Sequence, residues 1–343
     1  MFTKKIVAGA ALLALAAAAQ AQVKVYGSVE ATVGSFKTAT AGSKAVTKVD
    51  SGQMMTSFLG FSGSEDLGGG LKAEFVLETF LATDTGGVVP NNAGQYWGRG
   101  SNVALSGGFG KIALGQYDNA LFTYGYTYNP FGSSMGFSPT MRHFYSLGSL
   151  GNAKGAALGV DTGWVNSITY ETPTVAGFAA NLQVTPKETS AAGAKNSVTV
   201  GASYNAGAFS AGLAYMDADD QQSANTAAGT AFAKDQKVTS LGASYDFGVV
   251  KAFGQYTAVN NAVAADETIF QVGASAPVTA AGTVLASYGQ YKTKNGGSKD
   301  TIFSLGYDHM ISKRTDVYAV ISNEKVTNVK AANSFAVGIK HNF

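Results

Sequence analysis

The 343-residue chain contains no cysteine. That excludes a disulfide framework, thiol catalysis and Cys-ligated zinc or iron–sulfur centres. Charge is scarce too: 13% of the residues are Asp, Glu, Lys or Arg, about half the roughly 25% of an ordinary soluble chain. Arginine is the scarcest charge, with only Arg99, Arg142 and Arg314. A formal net charge of +2 argues against a nucleic-acid partner. His143, His309 and His341 are far apart and form no H-E-x-x-H, which leaves no zinc site to expect. G-x-S-x-G, G-x-G-x-x-G and Walker A patterns are missing as well, so no cofactor and no catalytic constellation is expected. Beyond the N-terminus no run of 18 apolar residues occurs, which excludes a helical membrane protein. The 43 glycines follow no G-X-Y period, which excludes collagen.

What is present begins with a leader. Lys4 and Lys5 precede an apolar run from Ile6 to Ala19, and Ala19-Gln20-Ala21 closes it in an A-x-A arrangement before Gln22. This is the three-part pattern of a secretory signal peptide, so residues 1–21 are expected to be removed between Ala21 and Gln22. With 24 basic and 22 acidic side chains in all, the two leader lysines carry the whole excess, and the mature chain is formally neutral.

From there on the pattern has a period of two. Val23, Val25, Val29, Ala31 and Val33 alternate with Lys24, Tyr26, Ser28, Glu30 and Thr32. Leu241, Ala243, Tyr245 and Phe247 alternate with Ser240, Gly242, Ser244 and Asp246, and the chain closes on Phe335, Val337, Ile339, His341 and Phe343. Strict alternation marks strands with one apolar and one polar face. The polar face is rich in Gly, Ser, Thr, Asn and Gln, which suits a wet interior better than the Lys and Glu of a soluble surface. Helical spacing is nowhere sustained after residue 21. Connections alternate between tight turns, such as Asp66 to Gly70, and long polar stretches, such as Asp118 to Gly163. Turns on one rim and loops on the other are the pattern of an outer-membrane barrel.

The segmentation gives sixteen strands, at 23–35, 54–64, 71–82, 99–107, 111–117, 164–172, 178–186, 196–205, 209–216, 237–246, 249–257, 268–276, 282–292, 300–310, 315–323 and 333–343. The expected fold is therefore all-β: a 16-stranded antiparallel transmembrane β-barrel over residues 22–343. A barrel of this size is too wide for side chains to fill and keeps an aqueous channel. The same periodicity also suits a second class, a secreted or surface β-rich binding or adhesion protein without a channel.

Several segments resemble those of the general porins of Gram-negative bacteria, of the β-proteobacterial and neisserial type. They are Val25-Tyr26-Gly27-Ser28-Val29-Glu30, the stretch Gly63 to Ala73, Leu105 to Lys111, Asn166-Ser167-Ile168 with Tyr170 and Pro173, and the closing Val337 to Phe343. The resemblance implies an outer-membrane homotrimer surrounded by lipid and lipopolysaccharide. It also implies a third loop, here 118–163, folded inward as a constriction, and a terminal Phe343 read by the barrel-assembly machinery. The implied activity is passive passage of small hydrophilic solutes.

The resemblance also marks departures. Phe58, Ser62 and Gln116 stand where porins of this type carry basic groups. Parity puts Phe58 on the face of Gly60 and Ser62, towards the lumen, where it would narrow or grease the constriction; a one-residue bulge would turn it to lipid instead. Parity also places Glu30, Lys72, Glu74, Glu78, Glu171 and Asp246 inside, five acidic groups to one basic, from which a weak cation preference is expected. The candidate pore-lining and constriction residues are thus Glu30, Phe58, Ser62, Lys72, Glu74, Arg99, Gln116, Asp118 and Arg142. Asp217, Asp219 and Asp220 share one loop, either as a divalent-ion site or as a solvated acidic stretch. Tyr117, Tyr170, Tyr215, Tyr256 and Tyr291 are candidates for interfacial aromatic girdles.

Overall fold

The computed structural model describes residues 23–89, 95–145, 157–158, 161–188, 190, 192–219, 235–262, 264–295 and 297–343. The leader, with the expected cleavage residues Ala19 and Ala21, lies outside the described residues, as does Asp220.

Eighteen strand segments form one antiparallel sheet. They are β1 Lys24–Phe36, β2 Val46–Asp50, β3 Phe58–Gly68, β4 Leu71–Ala82, β5 Gly87–Val89, β6 Gly100–Gly107, β7 Gly110–Asp118, β8 Gly163–Glu171, β9 Phe178–Thr185, β10 Ser197–Ala206, β11 Phe209–Ala218, β12 Gln236–Asp246, β13 Lys251–Asn260, β14 Glu267–Pro277, β15 Gly282–Thr293, β16 Lys299–Met310, β17 Thr315–Val326 and β18 Ala332–Asn342. Two pairs of segments share one strand position each. β2 lies on the upper half of β1 and β3 on its lower half, while β5 and β6 divide β4 in the same way. Sixteen positions remain, and pairing of Ser28–Ser35 with Phe335–Asn342 closes them into a barrel. Closure leaves no sheet edge in a medium that cannot hydrogen-bond to one.

The alternation read from the sequence is realised around the wall. On β16, Phe303, Leu305 and Tyr307 are exposed on the outside, whereas Ile302, Ser304 and Gly306 turn inward and are buried. The expected strands agree closely, and 71–82 coincides with β4. The main shift is at β3, which starts at 58 and not 54, because residues 51–57 break away from β1. The reversal after β3 uses Gly68, Gly69 and Gly70, all with positive φ, and Asp66 accepts a hydrogen bond from the Gly68 N–H at 2.9 Å. Of the candidate girdle tyrosines, Tyr215 and Tyr256 are exposed on the outer face. Tyr117 and Tyr291 instead turn inward, with Lys111 above the first ring and the second only 4% exposed.

The third loop folds into the barrel. It carries two helices, α1 Ala120–Thr127 and α2 Pro139–Tyr145. Asn119 caps α1 by accepting from the Phe122 N–H at 2.9 Å. Both helices are too short to display a 3.6-residue period, and inside the barrel they are covered on most sides, so they lack the polar face that the period would reveal. α1 lies against β10, β11 and β12, and α2 against β14, β15 and β16. The hydrophobic core thus sits between loop and wall: Leu121, Tyr124, Tyr128, Met141 and Phe144 pack on Trp164, Ala214, Met216, Val238, Val259 and Ile269.

Inward-facing glycines make this seat possible. A Cβ on Gly201 of β10 would lie 2.9 Å from the Ala120 Cβ, one on Gly212 of β11 would lie 2.8 Å from the Tyr128 ring, and one on Gly273 of β14 would lie 2.7 Å from Pro130. Gly242, Gly289 and Gly306 give similar room to Tyr128, Pro139 and Phe131. Overpacking such a site costs about 1–3 kcal/mol. Gly212→Leu is therefore expected to lift loop 3 from the wall while the barrel still forms. Limited proteolysis should show new cleavage within residues 119–145, and an unchanged digest would contradict the seat.

Candidate functional site

With loop 3 covering the wall from β10 to β16, the inner surface of β1, β3, β4, β6 and β7 stands opposite it. Register puts Tyr26, Gly60, Glu78 and Gly100 in one row across this surface, and Ser28, Phe58 and Phe80 in the next. The Tyr26 hydroxyl donates to Glu78 Oε1 at 2.6 Å, and Arg99 Nε lies 2.9 Å from Glu78 Oε2. The Arg99 guanidinium carbon is 4.2 Å from the centre of the Phe58 ring and 5.6 Å from that of Phe80. Phe58 itself is 8% exposed and meets Tyr26 edge-on.

Phe58 therefore has the inward orientation that parity gave it, and no bulge turns it to lipid. The expectation that its ring greases open water needs correction, because Arg99 lies across it.

The row towards the short-turn rim aligns Lys72, Ser106, Lys111 and Glu171. Lys111 Nζ is 2.9 Å from Glu74 Oε2, and the Ser106 hydroxyl donates to the other Glu74 oxygen. Ser62 is half-buried opposite Lys24 and Val76. Asp118, at the end of β7 where loop 3 begins, is exposed.

Three candidate lining residues are buried in bonds instead of facing open water. Glu30 is 1% exposed. Its carboxylate accepts from the backbone N–H groups of Gly52, Gln53 and Met54 and from the hydroxyls of Thr32 and Tyr318. It thereby holds the break at 51–57, and that segment in turn holds loop 3, since the Gln53 carbonyl accepts from the Ser134 hydroxyl at 2.6 Å and the Gly136 N–H at 3.0 Å. Gln116 is also buried and donates to the Gly98 carbonyl at 2.6 Å. Arg142 pairs with Glu324 of β17 at 2.7 Å, with side chains 1% and 2% exposed. Parity, which placed Glu30, reports the face a side chain takes but not what is packed in front of it, and neither the resemblance that marked Gln116 nor the loop that carries Arg142 shows their buried partners.

The pair Arg142–Glu324 belongs to a set of ties between loop 3 and the wall. Thr140 donates to Gln255 at 3.1 Å and to Gln271, and Gln255 Nε2 donates to the Gly125 carbonyl at 2.9 Å. His143 is fully buried with Nε2 3.8 Å from Asp300 Oδ2. Burial and the neighbouring Arg142 charge push its imidazole down to about 3, so it is neutral at ordinary pH. None of these partners shows in the sequence, because they lie more than 100 residues away from the loop.

At the closing seam the Phe343 N–H donates to the Gly27 carbonyl at 3.1 Å, and the Gly27 N–H returns a bond to Phe343 at 3.2 Å. Asp217 is not in a loop as expected but at the end of β11, 3.5 Å from Lys237 of β12, while Asp219 just beyond the strand is 3.7 Å from Lys195. Among the described residues, no acidic or histidine cluster has the spacing of a metal site.

The closed 16-stranded barrel with its inward loop accords with the family comparison, in which residues 8–328 match the Gram-negative porin family. The chain belongs to the Gram-negative porins. It is an integral β-barrel protein of the outer membrane. It is 35% identical to outer membrane porin protein 32 of Delftia acidovorans over 98% of this chain and 95% of that one. Among neisserial relatives, the major outer membrane protein P.IB of Neisseria gonorrhoeae is 32% identical over 60% of this chain and 55% of its own length. The structure of an anion-selective porin from Comamonas acidovorans superposes with a TM-score of 0.76 at 29% identity, covering 94% of this chain and 100% of that one.

Breaking a buried ion pair from one side costs about 3–5 kcal/mol, because the remaining charge is stranded. Arg142→Gln is expected to loosen loop 3 of this porin and lower its thermal stability by an amount of that order. Adding Glu324→Gln should recover much of the loss. A double variant as unstable as the sum of the two single ones would contradict the pairing.

Proposed function

We propose that this porin is a passive diffusion channel for small hydrophilic solutes and ions, acting as a homotrimer without chemical turnover. The observation that carries this reading is the half-filled lumen. Loop 3 is packed on β10 to β16, while the surface of β1 to β7 presents ion-paired and polar side chains to the space opposite. Ser62, Lys72, Glu74, Arg99 and Asp118 are the lining residues in this proposal, with Phe58 beneath Arg99. Glu30, Gln116 and Arg142 shape the channel from behind.

The cation preference expected from five acidic groups against one basic is not carried forward. Glu78 is met by Arg99, Glu74 by Lys111, Asp316 by Lys340, and Glu30 by backbone N–H groups. Paired charges leave a small net field along the ion path, so weak charge discrimination is the reading these pairs support. The Comamonas relative, described as anion-selective, argues in the same direction.

An apolar groove on the outer face, lined by Ala31, Val33, Val49, Val317, Ala319, Val337 and Ile339, supports packing against further subunits. The exposed Leu, Val and Phe rows suit outer-membrane lipid and lipopolysaccharide. The exposed ring of Phe343 is available to the barrel-assembly machinery.

Planar-bilayer recording of the purified trimer tests the reading. Stepwise, ohmic conductance with a reversal potential near zero in a KCl gradient is expected. Glu78→Gln should move that potential towards anions by releasing the Arg99 charge. A protein that yields no steps contradicts the channel, and a strongly cation-selective potential contradicts the weak discrimination.

A further inference from the structure

Of the three arginines, Arg142 is locked behind loop 3 and Arg314 lies exposed in the turn between β16 and β17. Arg99 is the one held on the free wall. It stands one residue before β6, and its backbone N–H donates to the Glu78 carbonyl at 3.2 Å. An arginine at such a place, leaving a loop and facing water, ordinarily samples many rotamers. Here its contacts close a ring. The guanidinium lies over Phe58 at 4.2 Å, its Nε meets Glu78 at 2.9 Å, Glu78 takes the Tyr26 hydroxyl at 2.6 Å, and Tyr26 returns edge-on to Phe58 with 6.0 Å between centroids. Gly60 is part of the arrangement, since a Cβ there would lie 2.6 Å from the Tyr26 ring.

The side chain remains 23% exposed, and neither terminal nitrogen donates to a described residue. The aromatic face and the carboxylate thus hold the guanidinium from two sides. A cation over an aromatic face, partly shielded from water, is held more firmly than an exposed ion pair.

We propose that Phe58 is a positioning residue of this channel: by stacking under the guanidinium it fixes where the Arg99 charge stands, and it acts on ions only through that charge. The proposal rests on the channel reading above. It assigns Phe58 a role other than narrowing the pore: the ring works through Arg99 and has no separate effect on ions.

The test is the cation-to-anion permeability ratio, taken from reversal potentials of the trimer in a KCl gradient. Arg99→Gln strips Glu78 of its partner and should raise the ratio about threefold, the effect of roughly one unit charge beside a watery path. Phe58→Leu keeps apolar bulk but removes the aromatic face. It should raise the ratio by less than Arg99→Gln does, and Phe58→Tyr should restore the original value. In the Arg99→Gln background Phe58→Leu should change nothing further, because its target is gone.

Two results would overturn the proposal: an unchanged ratio in Arg99→Gln, or a Phe58→Leu shift of equal size with and without Arg99. The second would mean that the ring acts on the pore directly. Heat-resistant trimer migration of each variant shows that it has assembled. A wild-type protein that gives no conductance steps would instead bring down the channel reading itself.

Discussion

A closed barrel of sixteen strands has an interior that wall side chains cannot fill, and everything specific to this porin follows from what occupies that space. One segment does so. Residues 119–145 lie along the inner faces of β10 to β16, and the contact is close because glycines at 201, 212, 242, 273, 289 and 306 supply no side chains. The result is an unsymmetrical lumen, with a packed apolar half and a polar half. Filling one side of the cylinder gives the molecule both its hydrophobic core and its passage.

The two halves are tied by different physics. On the packed side Leu121, Met141, Phe144 and Trp164 are buried as deeply as in any soluble core, and polar ties run among them, as in Arg142 with Glu324 and Gln255 with Gly125. Each such bond offsets the desolvation penalty of the groups it joins. Glu30 links the halves from β1. Its carboxylate organises residues 52–54, and Gln53 then holds Ser134 and Gly136 of the loop. On the free side two of the acidic groups do not stand alone, because Arg99 takes Glu78 and Lys111 takes Glu74. This pairing is the reason a tally of lumen carboxylates does not give the net charge along the wall.

How much of this was legible depended on the range of the interaction. The strands could be read because alternation is local, and β4 was recovered without error at 71–82. The inward face of Phe58 could be read by the same rule. α1 and α2 could not, since seven or eight residues buried on most sides carry no period. The division of β2 from β3 is not legible because the break between them is set by a residue of the neighbouring strand, Glu30, which takes the N–H groups of residues 52–54. Arg99 could be named as a candidate lining residue, but not its partners. Its destination depends on Phe58, Glu78 and Phe80, which lie on other strands, and it stands just before β6, not within the strand as the expected 99–107 has it.

The chain's lack of cysteine allows the central claim, that loop 3 rests on the β10 to β16 wall and leaves the other half open, to be tested without background thiols. The Gly201 position faces Ala120 at 2.9 Å between Cβ atoms, so a slight outward shift reaches the roughly 3.5–4.5 Å of a disulfide. In the double variant Ala120→Cys with Gly201→Cys, oxidation should join loop to wall in nearly every subunit and leave single-channel conductance where it is in the reduced protein. Failure of the two thiols to join, or a conductance that changes when they do, would contradict the account.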